Sequence, residues 1–382
     1  MSDKRESNLG LVLSAGGARA AYQVGVLKYM ADNFPDYNPT IFTGISAGSI
    51  NAAFLAQGKS PKEATNDLYR LWQQLSFSQV FQTNFKSFFR MGLRWIYDLF
   101  ISKFTNHLLL RSLLDASPLS KTLLTHLDFK RIARSVRDGK VKGLAVSATN
   151  YHDGTTAIFF DSTKPVPTWH RERRFSQRCL VRPRHIMASC SIPLLFQPIP
   201  IGKFLYGDGS MRFSFPFSPA IHLGATHMLA IGIRCEVPVN PFAGFRPDHL
   251  SLGYIAGSVL NSIFLDSLEF DYENLLRINE ITGPDSDKYR KVELIRPSQD
   301  LGSIAKNYLH EVPFHFRQIL KAMAAPAELG DLLSYLMFSP GYINAILELG
   351  VRDGAANHDR LAAFLKNSGQ PKAVPRRAIA RG

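Results

Sequence analysis

The sequence predicts an α/β fold, in which a mainly parallel sheet carries helices on its faces. Apolar, β-prone runs at residues 8–14 and 41–44 each enter a glycine-containing loop. A helical pattern of apolar residues leaves each loop at once. Strand, loop and helix repeated in this order place neighbouring strands parallel and cover the sheet with helices.

The elements follow in chain order. The first helix is predicted at residues 18–33, where apolar side chains recur at helical spacing, and Pro35 stops it. The second strand at residues 41–44 is followed by a helix at residues 47–57. Four later strands are predicted, at residues 141–148, 156–160, 204–206 and 227–234.

We predict that the sheet-bearing core covers residues 8–237 and that residues 240–365 form a mostly helical extension. Apolar runs in the extension could pack on the core or pair with a second subunit, so a homo-oligomer stays open. Residues 366–382 are basic and rich in proline and alanine, which favours a disordered tail.

An insertion at about residues 85–115 begins with a basic, aromatic-rich amphipathic pattern at residues 85–100. Its apolar side chains share one helical face, while Lys86, Arg90 and Arg94 line another. Such a helix is typical of a membrane interface, where it would form part of a lid or contact surface. An ordinary surface helix that buries its apolar face on the core also fits, and is the commoner outcome.

Composition narrows the classes of partner. The net charge of +14 over 382 residues suits an anionic membrane surface or a nucleic acid. The basic residues, however, lie among prolines in loops and form no recognisable reader motif, so no nucleic-acid partner is expected. No metal-ligand spacing appears either, and we expect neither a metal nor a cofactor.

The expected location is the cytoplasm, with peripheral contact to a membrane. The three cysteines form neither an even framework nor a C-x-x-C pair, which indicates reduced thiols. We see no leader pattern at residues 1–8 and no apolar run near 18 residues, so no membrane span is predicted.

Residues 44–48 read Gly-x-Ser-x-Gly between a strand and a helix, which is the sequence form of a nucleophile elbow. In such a turn only glycine fits two residues either side of the serine. The turn lifts the Ser46 hydroxyl out of the backbone, with the N-terminus of a helix behind it. Free N–H groups and the helix dipole there favour negative charge on a substrate.

A serine nucleophile also needs an oxyanion site. The turn at residues 14–19 contains the pair Gly16 and Gly17, whose backbone N–H groups could point at a developing oxyanion. A phosphate-binding loop is the alternative. Neither Gly-x-Gly-x-x-Gly nor Gly-x-x-x-x-Gly-Lys-Ser/Thr is present, so nucleotide binding is not expected.

Two kinds of base are open on the residues alone. Asp208 lies between two glycines just after a short apolar strand, although an Asp-Gly pair is more often a plain turn. A histidine is the usual base after a nucleophile elbow, although none here has a distinctive setting. The histidines considered are His152, His170, His185, His222 and His227.

Taken in order, the motifs at residues 16–19, 44–48 and 208–210 resemble the patatin-like phospholipase family. The segments at residues 187–193 and 216–225 are also similar to those that flank the family's aspartate. The resemblance covers roughly residues 8–235. It implies a three-layer α/β/α catalytic domain and a calcium-independent lipid acyl hydrolase of phospholipase A type, acting on phospholipids, lysophospholipids or related esters.

The resemblance also implies a Ser–Asp dyad that needs no histidine. Ser46 would attack the ester carbonyl to form an acyl-enzyme and Asp208 would take its proton. The remaining roles are those of oxyanion donors (Gly16, Gly17 and Ala18), an electrostatic support (Arg19) and positions that shape the turns (Gly44, Ala47, Gly48 and Gly209).

The chain departs from the family pattern at three positions. Ala15 and Ala20 stand where the family usually has glycine, and Ser210 replaces a glycine or alanine. Two other hypotheses remain beside the dyad. One is a histidine-using esterase or thioesterase of the α/β-hydrolase kind, and the other is a catalytically silent membrane-binding scaffold.

Overall fold

The structure, a computed structural model, describes residues 8–82, 114–236, 251–323, 325 and 328–366. Within these ranges the chain forms one twisted sheet with helices on both faces. The strands are β1 (Leu9–Leu13), β2 (Ile41–Ile45), β3 (Gly143–Asn150), β4 (Thr156–Ser162), β5 (His170–Arg171), β6 (Arg174–Arg178), β7 (Ile199–Ile201), β8 (Phe204–Asp208), β9 (His227–Ile231) and β10 (Lys291–Ile295).

The strand order along the sheet is β10-β9-β1-β2-β3-β4-β6-β5. The five strands from β10 to β3 are parallel, as are β4 and β6. Strand β4 runs antiparallel to β3, and β8 pairs antiparallel with the last three residues of β3. The central strands β1 and β2 are buried along their whole length, because helices cover both of their faces.

Helices fill the layers on either side of the sheet. Short 3-10 turns at Gly17–Ala20, Gly209–Met211 and Leu309–Glu311 lie among them. The α-helices are α1 (Ala21–Asn33), α2 (Ala47–Leu55), α3 (Pro61–Gln74), α4 (Phe77–Val80), α5 (Ser117–His126), α6 (Phe129–Arg137), α7 (Pro183–Ser189), α8 (Ser218–His222), α9 (Leu252–Thr282), α10 (Leu301–Lys306), α11 (Phe314–Met323), α12 (Gly330–Leu336), α13 (Pro340–Ala356) and α14 (His358–Lys366).

The predicted α/β class and the mainly parallel sheet are confirmed, as are the C-terminal helices. The first helix differs in one detail, because the chain leaves β1 through a 3-10 turn before α1 begins. All predicted strands are present, with bounds shifted by a few residues. Strands β5, β6, β7 and β10 give no clear signal in the sequence, because they are short or mix polar or charged residues with apolar ones.

The region after residue 250 is continuous with the core. Strand β10 extends the sheet by pairing in parallel with β9, and α13 packs along α1. At their crossing a Cβ on Gly25 would lie 2.1 Å from the carbonyl oxygen of Leu347. A Cβ on Gly350 would lie 2.3 Å from that of Tyr22. The two helix backbones therefore touch, which only glycine permits.

Several predictions fall outside the described residues. They concern residues 85–113 of the amphipathic insertion, the boundary near residue 237 and residues 367–382 of the tail. Among the helices that the structure does describe, none combines the length and the apolar character needed to span a bilayer.

Candidate active site

Ser46 occupies the turn between β2 and α2 in a strained backbone conformation. Its φ is 52° and its ψ is −130°, a region that residues other than glycine rarely adopt. A Cβ on Gly44 would lie 2.3 Å from the carbonyl oxygen of Gly48, and one on Gly48 would lie 2.2 Å from that of Leu13. The turn is therefore as tight as a nucleophile elbow requires.

Hydrogen bonds from two neighbouring serines fix the Ser46 backbone. The Ser46 N–H donates to the Ser189 hydroxyl at the end of α7, with a distance of 2.9 Å. The Ser46 carbonyl oxygen accepts from the N–H of Ser49 at 2.8 Å and from its hydroxyl at 2.6 Å. The backbone is thus held while the side-chain hydroxyl is left for chemistry.

Asp208 ends β8 opposite Ala148 of β3 and is completely buried. Its N–H donates to the carbonyl oxygen of Ser191 at 2.8 Å. Its Oδ1 accepts from the N–H of Ser210 at 2.9 Å and from the Ser210 hydroxyl at 2.5 Å. Its other oxygen, Oδ2, is buried and has no hydrogen-bond partner among the described residues.

The segment at residues 187–193 runs between the serine and the aspartate. Ser189 holds the Ser46 N–H, and the Ser191 carbonyl holds the Asp208 N–H. In the sequence, this segment stands out only by its likeness to a family pattern. Its physical role is to place the two candidate catalytic residues relative to each other.

Burial raises the pKa of Asp208 from its ordinary value to about 6. Hydrogen bonding from Ser210 and the nearness of the Ser46 hydroxyl oppose the rise. The Ser46 hydroxyl therefore lies beside the carboxyl group, although Oδ2 makes no bond of normal geometry. Contacts of this kind often tighten only when substrate is bound. A carboxyl group with a pKa near 6 is a better proton acceptor than an ordinary aspartate.

The turn at residues 14–19, called the glycine loop from here on, borders the same space as Ser46. Gly17 has a φ of 52°, and a Cβ there would lie 2.3 Å from the carbonyl oxygen of Tyr335. Gly17 and Ala18 begin a 3-10 turn, and among the described residues no acceptor binds their N–H groups. Gly17, Ser46 and Ala47 border the same cavity. The loop therefore brings Gly17, whose N–H no described residue accepts, to the border of the space in front of the candidate nucleophile.

A buried network of hydrogen-bonded polar side chains from α1, α2 and α3 holds the start of the glycine loop at Ser14. Gln23 of α1 donates to the carbonyl oxygen of Ser14 at 2.9 Å. Asn51 of α2 donates to the Gln23 amide oxygen at 3.1 Å, and the Trp72 indole donates to the Asn51 amide oxygen at 2.8 Å. These residues were not singled out from the sequence, because only the fold brings their helices together.

The cavity in front of Ser46 has an empty volume of about 730 Å³, its open mouth included. Its walls are almost entirely apolar. They are formed by side chains of α2, α3, α4, α5 and α12 and by the loop after α7, among them Ile50, Phe54, Leu71, Leu75, Val80, Leu123, Ile192, Phe196, Leu336 and Phe338.

Arg19 does not face this cavity. Its guanidinium is buried and bonds protein groups of the C-terminal helices, including the Asp331 carboxylate at 2.9 Å. Its side chain thus carries a buried charge that protein groups satisfy.

The histidines considered from the sequence lie elsewhere in the described structure. His185 is buried against Phe159, and burial lowers its pKa to about 4. His227 begins β9, at the edge of the sheet opposite Ser46. His126, which was not considered, lines the cavity, and its Nδ1 lies 2.9 Å from the carbonyl oxygen of Thr122. The other three pack on aromatic rings: His152 on Phe204, His170 on Phe175, and His222 on Trp169.

The sequence profile of a family described as Patatin-like phospholipase matches residues 11–221. The match covers the glycine loop, the elbow and Asp208. A curated relative, the uncharacterized protein R571 of Acanthamoeba polyphaga mimivirus, is 25% identical over 209 residues, which are 54% of this chain. The chain spans 60% of that relative's length.

Two solved structures are similar to the chain at a lower sequence identity. VipD from Legionella pneumophila is 14% identical, with 96% of this chain and 89% of that chain covered and a TM-score of 0.33. Human GIVD cytosolic phospholipase A2 is 11% identical, with 95% and 60% covered and a TM-score of 0.46. Both scores are low, and the family assignment depends on the sequence profile alone.

Proposed function

Because the chain belongs to the patatin-like phospholipase family, we propose that it is a lipid acyl hydrolase that cleaves carboxylic esters through Ser46 and Asp208. The observation that carries the proposal is the pairing at the elbow. A strained, backbone-fixed serine lies beside a buried carboxyl group whose second oxygen has no hydrogen-bond partner among the described residues. Phospholipids, lysophospholipids or related esters are the proposed substrates.

The first step forms an acyl-enzyme. The Ser46 oxygen attacks the ester carbonyl carbon, and its proton passes to Oδ2 of Asp208. Asp208 then gives this proton to the leaving alcohol oxygen as the ester C–O bond breaks. Water attacks the acyl-enzyme in the second step, with Asp208 accepting the water proton and returning a proton to Ser46.

The glycine loop supplies electrostatic support for both steps. Gly17 borders the cavity beside Ser46, and its N–H, together with those of Ala18 and Gly16, is the proposed donor set for the oxyanion that the ester carbonyl becomes. They lie at the start of a 3-10 turn in a dry, apolar surrounding, where a hydrogen bond to a charged oxygen is strong.

The apolar cavity supports a lipid as the acyl donor. Its walls offer an acyl chain dispersion contacts and removal from water, worth about 0.8 kcal/mol for each buried methylene. A polar acyl group would find few partners there. Away from Ser46 the polar side chains of the lining are Thr122, His126, Cys190, Trp72 and Tyr335, and the polar atoms of Trp72 and Tyr335 already bond protein groups. The charged head group would lie at the mouth.

Replacing the two proposed catalytic residues tests the proposal. Ser46→Ala should abolish labelling by a fluorophosphonate probe and hydrolysis of a p-nitrophenyl ester. Asp208→Asn should lower kcat by about 10³-fold, because the neutral amide cannot accept the serine proton. Full activity in either variant would contradict the dyad.

Two control variants make the result specific. Asp271→Asn changes another buried aspartate whose pKa burial raises to about 6, but its carboxylate accepts from the Phe217 N–H. The amide oxygen can still accept that bond, so kcat should stay within about twofold. His126→Ala removes a histidine that lines the cavity, and it too should leave kcat nearly unchanged. Loss of activity in His126→Ala would favour the histidine-using alternative.

A further inference from the structure

Arg19 joins the glycine loop to the C-terminal helices. It directly follows Gly17 and Ala18, and its guanidinium is almost fully buried. Nη2 lies 2.9 Å from Asp331 Oδ1, and Nε donates to the Ser334 hydroxyl at 2.7 Å. A single side chain of the loop thus bonds Asp331 and Ser334 of helix α12.

Tyr335 and α9 complete the same cluster. The Arg19 guanidinium lies over the Tyr335 ring, 4.0 Å from its centroid, and Nη1 donates to the phenol oxygen at 3.2 Å. The Tyr335 hydroxyl donates in turn to the Asn261 amide oxygen of α9 at 2.8 Å. A stacked guanidinium with several fixed bonds is a rigid arrangement that lysine could not reproduce.

Helix α12 also touches the loop through its backbone. The Tyr335 carbonyl lies so close to Gly17 that any side chain there would collide with it. Gly17 has the positive φ that directs its N–H, and the turn has no room to relax toward α12. The loop conformation is therefore set from two directions, by the Arg19 side chain and by the Tyr335 backbone.

The same helix contributes to the cavity wall. Its residues Tyr335 and Leu336 line the space in front of Ser46, as does Phe338 just after the helix. Yet α12 begins at Gly330, far beyond residue 221, where the family match ends. A part of the candidate active site thus comes from a region that the family profile does not reach.

We propose that α12 is a positioning element for the oxyanion donors, and that Arg19 and Asp331 are the positioning residues that lock it to the glycine loop. The inference rests on the proposed function and names the residues that shape the same site. Arg19 acts on protein groups and not on the substrate. When the lock is broken, the Gly17 and Ala18 N–H groups lose the alignment on which oxyanion stabilisation depends.

Asp331→Asn tests the lock with the least disturbance, because the Asp331 side chain is 42% exposed while Arg19 stays in place. The amide keeps the shape and loses the charge. We expect kcat for a short-chain p-nitrophenyl ester to fall about tenfold or more, with KM changed less than about twofold. Asp331→Glu, which restores the carboxylate, should recover most of the lost kcat.

Glu269→Gln is the matched control. It removes the carboxylate from another partly buried pair, Glu269 with Arg296, in which Nε lies 3.0 Å from both carboxylate oxygens. Glu269 belongs to α9, and Arg296 follows the edge strand β10. We expect a loss of Tm similar to that of Asp331→Asn, with kcat unchanged. Equal kcat in both variants and the wild type would overturn the proposal.

Amide hydrogen exchange gives a readout that does not need turnover. Asp331→Asn should speed exchange at residues 16–18, and Glu269→Gln should not. Unchanged exchange at these amides in Asp331→Asn would also overturn the proposal. If the wild-type protein shows no Ser46-dependent activity, the proposed function fails, and the exchange result still decides whether α12 holds the loop.

Discussion

Asp208 combines complete burial with a carboxylate oxygen that no described residue satisfies, and this combination sets a pH dependence. The proposed base must be ionised to accept the Ser46 proton. Since burial raises its pKa to about 6, the active form predominates only above that pH. Below it, each unit of pH should lower the active fraction about tenfold.

We therefore expect kcat/KM to rise with pH and to level off above an apparent pKa of about 6. A pH series with an uncharged short-chain ester, whose own ionisation does not change, measures this directly. An apparent pKa near 4 would mean that Asp208 keeps an ordinary carboxyl group and would contradict the burial argument.

The raised pKa of Asp208 also predicts how the free energy of unfolding depends on pH, and this dependence is a second test of the same pKa. Between about pH 4 and pH 6 folded Asp208 holds a proton that the unfolded chain has released. The stability that the protonated Asp208 side chain gives to the folded state is therefore fully present below about pH 4, and it is lost as the pH rises through 6. A rise of about two pKa units corresponds to roughly 3 kcal/mol. Asp208→Asn should thus be more stable than the wild type at pH 7, and the difference should vanish near pH 4.

Whether a site residue can be predicted from the sequence depends on how far along the chain its partners lie. Ser46 and Asp208 could be singled out as candidates because glycines flank each of them, but it was the resemblance to a known family, and not the local motif, that favoured Asp208 over a histidine. Asp331 lies 312 residues from its partner Arg19, and Ser189 lies 143 residues from Ser46. No local sequence pattern indicates such pairs, because only the folded chain brings their two members together.

At the scale of elements, β1 and β2 were predictable because each is a buried apolar run that ends in a glycine turn. Strand β10 was not, because Lys291 and Glu293 interrupt its apolar residues and helices surround it in the chain. It forms as a strand since β9 offers it an edge to pair with. Tertiary pairing overrides the weak local signal.

Helix α2 carries a row of cavity-lining side chains that leads away from Ser46. Ala47, Ile50 and Phe54 lie at helical spacing on one face, and the row extends about 10 Å along the helix at 1.5 Å per residue. An acyl chain bound along this row would pass Ile50 before it reached Phe54. Bulk at Ile50 should therefore limit chain length.

We expect Ile50→Phe to lower kcat/KM for a p-nitrophenyl ester of a long acyl chain at least tenfold, and to leave the butyrate ester within about twofold. Ile221→Phe, the same change at a partly buried position of α8 that does not line the cavity, is the control. An equal loss for short and long esters in Ile50→Phe would exclude the α2 row as the acyl site.

At the scale of the whole molecule, the family match at residues 11–221 ends before several elements that complete the sheet and the cavity. Strand β10 extends the sheet, α12 walls the cavity, and α13 covers α1, which leads directly from the glycine loop. Membrane contact, cytoplasmic location and self-association stay predictions from the sequence.

The crossing of α1 and α13 tests whether the C-terminal helices unfold together with the core. A side chain on Gly350 would collide with the Tyr22 carbonyl, so Gly350→Val must force the two helices apart. Overpacking of this kind costs about 1–3 kcal/mol or more. Ala355→Val places the same residue at an exposed position of α13 and should cost only the small difference in helix propensity.

Calorimetry of Gly350→Val should show one transition moved to lower temperature, because α13 and α1 share buried surface that neither keeps alone. Loss of fluorophosphonate labelling on heating should follow the same curve, since α1 begins where the proposed oxyanion loop ends. Two transitions, of which only one responds to Gly350→Val, would mean that the C-terminal helices form an independent unit. The proposed oxyanion loop would then have to keep its shape without α12.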